Sequence, residues 1–133
     1  MIEYYGWATI RESYSEEFEN TRKLEKIIFQ LTVVFNQTLK NTNASGILEI
    51  KNGEWRLVVV GARNHRSGDW PEIYELFQWI AKNAQGSYGL LMLHDDEMSG
   101  EENEFIAYVL KKGALRKEKD KFLSPYLPEV EEI

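Results

Sequence analysis

The sequence predicts an α+β fold: a mainly antiparallel sheet with two helices on one face, in the order β-α-β-β-α-β plus a C-terminal β-hairpin. Three observations carry that expectation. Apolar residues recur at helical spacing from about Ser15 to Leu39. An Asn52-Gly53 pair separates two strand-like runs. Short segments rich in β-branched and aromatic residues occupy most of the remaining chain. The first six elements follow the order of a split βαβ unit, which places both helices on the same side of the sheet.

The first strand is expected over Glu3 to Glu12, with Tyr4, Gly6, Ala8 and Ile10 on one face and Tyr5, Trp7, Thr9 and Arg11 on the other. Ser13 or Ser15 can cap the helix that follows, and Glu16 and Glu17 suit its positive N-terminal end. Its apolar stripe comprises Phe18, Leu24, Ile27, Ile28, Leu31, Val34, Phe35 and Leu39. Strands Ile47 to Lys51 and Trp55 to Val60 form a hairpin about Asn52-Gly53, residues that accept the positive φ of a tight turn. The run Leu57-Val58-Val59-Val60 reads as an inner strand covered on both faces. A polar loop follows from Gly61 to Gly68, and Asp69 is placed to cap a second helix with Pro71 in its first turn. Ile73, Leu76, Phe77, Ile80 and Ala84 form that helix's stripe, which ends near Gly86. Tyr88 to Leu93 reads as another inner strand; Phe105 to Leu110 and Ala114 to Lys119 form the closing hairpin through Gly113. The tail, Phe122 to Ile133, is expected to be irregular.

Length and composition favour a single domain over residues 1–133, with 43% apolar and 29% charged residues. Cysteine is absent, which excludes disulfides, thiolate metal sites and cysteine nucleophiles. No signal peptide is evident, and the longest apolar runs are too short to cross a bilayer. A soluble, cytoplasmic protein is the expectation. A net charge of −6 disfavours nucleic acid as a partner and favours basic proteins, and no membrane partner is expected.

Three polar stretches could carry function. Asn64-His65-Arg66 stands between a strand and a helix, where an imidazole could act as base or ligand and a guanidinium could hold an anion. The same residues equally suit loop architecture or partner contact. Asp95, Asp96, Glu97, Glu101, Glu102 and Glu104 are six acids within ten residues. They resemble the start of a calcium loop, but Ile106 stands where the bidentate glutamate is required. The stretch therefore reads as a solvated loop or as an acidic contact surface for a basic partner. Lys111 to Lys121 carries six bases against two acids and reads as edge protection on a strand. A zinc or hydrolase site built from His65, His94 and Asp95 lacks both recognisable ligand spacing and an evident nucleophile. No phosphate-binding glycine motif is present, and no cofactor or metal is expected. Trp7, Trp55, Trp70 and Trp79 are candidate interface anchors, most of them expected in the core.

Five blocks carry a family resemblance. They are Tyr5-Gly6-Trp7, Gly61 through Asn64-His65-Arg66, Gly86 to Leu91 leading to Asp95-Asp96-Glu97, Asn103-Glu104-Phe105, and Phe122-Leu123-Ser124-Pro125. In this order they resemble the immunity protein 7 family of bacterial polymorphic toxin systems, and they span nearly the whole chain. Tyr108 and Lys121 depart from the family's pattern. The resemblance implies an α+β protein that binds a cognate toxin domain, nucleases among the varied candidates, and protects the producing cell without catalysis. Carried over by position, the family-like polar residues are Asn64, His65, Asp95, Asp96 and Asn103. With Arg66, Glu97, Glu101 and Glu102 these form the expected partner-binding set. The rival readings are a small metal-dependent enzyme using the His/Asp cluster and a regulatory adaptor; the oligomeric state is left open.

Overall fold

The computed structural model describes residues 1–15, 20–66 and 68–132. Glu16, Glu17 and Phe18 of the expected first helix lie outside the described residues. The elements are β1 (Ile2–Ile10), α1 (Thr21–Asn41), β2 (Ser45–Lys51), β3 (Glu54–Arg63), α2 (Asp69–Asn83), β4 (Tyr88–Asp95), β5 (Ile106–Lys111), β6 (Ala114–Lys119) and a short turn, α3 (Tyr126–Glu129). The expected α+β class and element order hold through β6. What differs is the tail, which was expected to be irregular and contains α3.

All six strands join one sheet in the order β2-β3-β1-β4-β5-β6, and every pairing is antiparallel. β3 lies between β1 and β2, as the split βαβ arrangement requires. Both hairpin turns use positive φ, at Asn52 (52°) and Gly53 (79°) and at Lys112 (48°) and Gly113 (76°).

Both helices press on one face. Phe77 of α2 fills the space above Gly6, where an added Cβ would come within 2.7 Å of the ring. Phe35 of α1 lies in the same way over Gly46, and Gly46 and Gly6 both pair with Val59. α1 lies toward the β2 side and α2 toward β5 and β6. The core between helices and sheet holds Tyr4, Leu31, Leu57, Ile73, Leu76, Ile80 and Leu91, each at most 1% exposed. Burying each aliphatic side chain contributes about 1.5–3 kcal/mol. Trp70, Tyr74 and Tyr108 extend this core as an aromatic group with ring centroids 5.4–6.1 Å apart.

Several local expectations are corrected. α1 is capped by Asn20, whose side chain accepts the Lys23 N–H at 3.1 Å. Ser13 instead accepts the N–H of Ser15 in a local turn. Asp69 does not cap α2, since Gly68 is the N-cap and Asp69 is already helical. β3 runs on to Arg63, so the loop expected from Gly61 begins three residues later. The run Leu57 to Val60 is not covered on both faces: Leu57 and Val59 are buried, whereas Val58 and Val60 are 44% and 43% exposed.

Candidate partner-binding site

The register explains why distant polar segments meet. Ile2 pairs with Arg63 of β3 on one side and with Asp95 of β4 on the other. The β3–α2 loop and the β4–β5 loop therefore emerge at the same end of the sheet, flanking Met1.

Two buried carboxylates organise the β3–α2 loop. Asp69, 5% exposed, accepts from Arg63 Nε at 2.7 Å, from the Asn43 N–H at 2.9 Å and from the Tyr4 hydroxyl at 3.4 Å. Burial first, and then the Asp69 charge, pushes the Tyr4 hydroxyl up to about 12, while Arg63 opposes the shift. The Arg63 guanidinium is raised in turn by its hydrogen bond to Asp69. Asp95, 4% exposed, accepts from Arg66 Nε at 2.7 Å and from the Glu97 N–H at 3.0 Å. Breaking either pair would leave a charge in low dielectric.

The other expected residues divide by partner. His65 Nδ1 lies 2.6 Å from a Glu97 carboxylate oxygen, both side chains standing largely in solvent. Asp96 accepts from the Met1 amino group at 2.6 Å. Glu101 accepts from Lys117 Nζ at 2.5 Å, a bond that raises the lysine's pKa. Asn103 is a clasp for the tail: its amide donates to the Leu127 carbonyl at 3.2 Å and accepts the Leu127 N–H at 2.7 Å. Its own carbonyl accepts the N–H of Tyr126 at 2.8 Å. Glu102 presents its side chain to solvent, while its carbonyl lies 3.2 Å from His94 Nε2. Asn64 is exposed at the lip of a hollow it shares with Asn43, Arg63, His65 and Arg66.

His94 is 2% exposed and packs against both Phe105 and Tyr126, at centroid distances of 4.8 and 4.5 Å, in a three-ring cluster. It does not share a hydrogen-bond partner with His65. Neither imidazole, among the described residues, bonds a hydroxyl that could serve as nucleophile, and no cluster of three or more His, Cys, Asp or Glu is arranged to hold a metal ion.

One region escaped the sequence reading. On the face of the sheet opposite the helices, Tyr5, Trp7, Ile47, Val58, Val60 and Tyr88 are between 41% and 51% exposed. Trp7 meets Tyr88 edge-on at 6.2 Å. The signal was present in β1, whose two faces both carry aromatic or aliphatic side chains. Of the other tryptophans, Trp70 is buried and Trp55 and Trp79 are partly covered.

No helix of the described residues is long and apolar enough to cross a membrane. A family model described as Immunity protein 7 matches residues 1–132. No curated protein and no solved structure matches the chain.

Proposed function

The chain belongs to the immunity protein 7 family, and from that premise we propose that it neutralises a cognate bacterial toxin domain by binding and occluding it stoichiometrically in the cytoplasm of the producing cell. The match over residues 1–132 is the observation that carries this reading. The site chemistry agrees with it, because the polar residues at the loop end are engaged with one another and not with a reactive group.

Charge favours a basic partner, such as a nuclease domain. The chain carries −6, and Asp96, Glu97 and Glu102 stand in solvent, Glu97 against His65. Such charges accelerate encounter and enforce specificity more than they add affinity. Asp95, Arg66, Asn103 and Glu101 support these contacts by holding their loops in place.

Co-expression with the toxin encoded beside this chain tests the proposal. The expected result is rescued growth together with a co-purifying equimolar complex. Continued killing by the toxin, with both proteins folded and present, contradicts it. Association should also slow as salt rises, because added ions screen long-range steering.

A further inference from the structure

An antiparallel sheet with helices on one side normally shows polar residues on the other. Here the central outward positions are apolar, with Thr9, Glu49, Arg56 and Arg116 around them. The register aligns Ile47, Val58, Trp7, Leu90 and Val109 in one row across five strands. A second row aligns Val60, Tyr5, Met92 and Ala107. At a strand spacing of ~4.8 Å the first row spans about 19 Å. Neither α1 nor α2 covers it; among the described residues Tyr126 of the tail stacks on His94 at one corner, and the band is open at Ile47, Val58, Val60, Tyr5 and Trp7 and closed at Ala107, 9% exposed. Contiguous apolar surface of this kind on a rigid sheet marks an interaction site. Trp7 and Tyr88 meet edge to face, a contact that reduces the side-chain freedom to be lost on binding.

One corner of this band points to its occupant, the opposite edge being closed by Arg116 beside Val109. Tyr5 donates to Glu3 at 2.7 Å, which joins the band to a corner where Glu3, Asp96, Glu97 and Glu131 outnumber the single Met1 amino group. There Glu3, Asp96 and Glu131 lie close enough to Tyr126 that their charges help hold its hydroxyl above the ordinary value, after loss of solvent as the first cause. A second copy of the chain would bring another −6 against this surface, whereas a basic protein would be drawn to it.

We infer that the helix-free face of the sheet is where the toxin domain docks, with Trp7, Tyr5 and Val58 entering an apolar patch and the Glu3–Asp96–Glu131 corner meeting basic residues at its border. This rests on the immunity reading above and names the surface that performs it.

The test measures affinity for the toxin domain encoded beside the chain, with sedimentation reporting the oligomeric state. The sheet variant is Trp7→Thr with Val58→Thr, both strand-compatible changes at exposed positions. The control is Phe29→Gln with Val33→Gln, on the exposed side of α1, where these residues are 75% and 60% exposed. The sheet variant should weaken binding at least about 30-fold, as expected when an interface anchor is removed. The helix control should change it less than about threefold. Val60→Thr, nearly the same shape, serves if the double variant does not fold, and should weaken binding in the same direction.

Loss confined to the helix variant overturns the docking face and leaves the immunity reading standing. A wild-type dimer that the sheet variant dissociates assigns the face to a second copy and likewise overturns the inference. Failure of the folded wild-type chain to bind the toxin at all removes the immunity reading itself.

Discussion

The loop end and the open face of the sheet invert what their sequences suggest. Asn64 to Arg66 and Asp95 to Asn103 are conspicuous polar blocks, yet much of their hydrogen-bonding capacity is spent inside the molecule: Arg66 on Asp95, Asn103 on Leu127, Glu101 on Lys117. Val58 and Val60 read as part of a strand covered on both faces, yet each, like Tyr5 and Trp7 beside them, is more than 40% exposed. The lesson concerns where free energy remains available for a partner. A polar group already satisfied internally gains little from a second bond, whereas apolar surface still in water gains wherever it is covered.

The largest effect that should separate the two faces comes from adjacent residues of β4. Leu91 points into the core and is fully buried, while Leu90 points outward and is partly covered. Leu91→Ala should cost about 3 kcal/mol, and Leu90→Ala under about 1 kcal/mol, in urea unfolding. Equal losses would mean that the outer face is packed as firmly as the inner one.

Next in size is Asp95→Ala, which removes the acceptor for Arg66 and for the Glu97 N–H. A loss of about 2–3 kcal/mol is expected, below the value for a fully buried pair because Arg66 reaches solvent. The same unfolding experiment measures it, and a change near zero would turn Asp95 from scaffold into a dispensable surface charge.

A third effect appears at high pH. The Tyr4 hydroxyl ionises near 10 in the unfolded chain and is pushed up to about 12 in the fold, by burial first and then by Asp69. The folded state therefore binds more protons between those values. Its contribution is whole below pH 10 and is lost as pH rises toward about 12. Ultraviolet titration of wild type against Tyr4→Phe should assign the missing late-ionising tyrosine to this position. Tyr5, held up chiefly by its hydrogen bond to Glu3, should remain late in both proteins.

The smallest effect belongs to His65. Its ring is 79% exposed against Glu97, so His65→Ala should change stability by less than about 0.5 kcal/mol. A larger loss would make the loop histidine part of the scaffold.

Element order and the helix-facing core were legible because hydrophobic period and the Asn52-Gly53 turn are local signals. The cap at Asn20, the extension of β3 to Arg63 and the true role of Asp69 were not, since each depends on partners distant in sequence. Asp69, for example, engages Tyr4 across 65 positions of sequence. The apolar run through Val60 was visible, but an uncovered face and a covered one produce the same run. The candidate polar residues were found by composition and spacing, and Asn103 by the family resemblance; which of them hold the structure became visible only with their partners.

The central claim is that the chain acts by occupancy. Toxin activity should be titrated with this chain at concentrations well above the dissociation constant, before and after prolonged incubation. The account predicts a linear fall that breaks sharply at equimolar chain and does not move with time. Progressive inactivation of excess toxin by substoichiometric chain would contradict it and make the protein a catalyst.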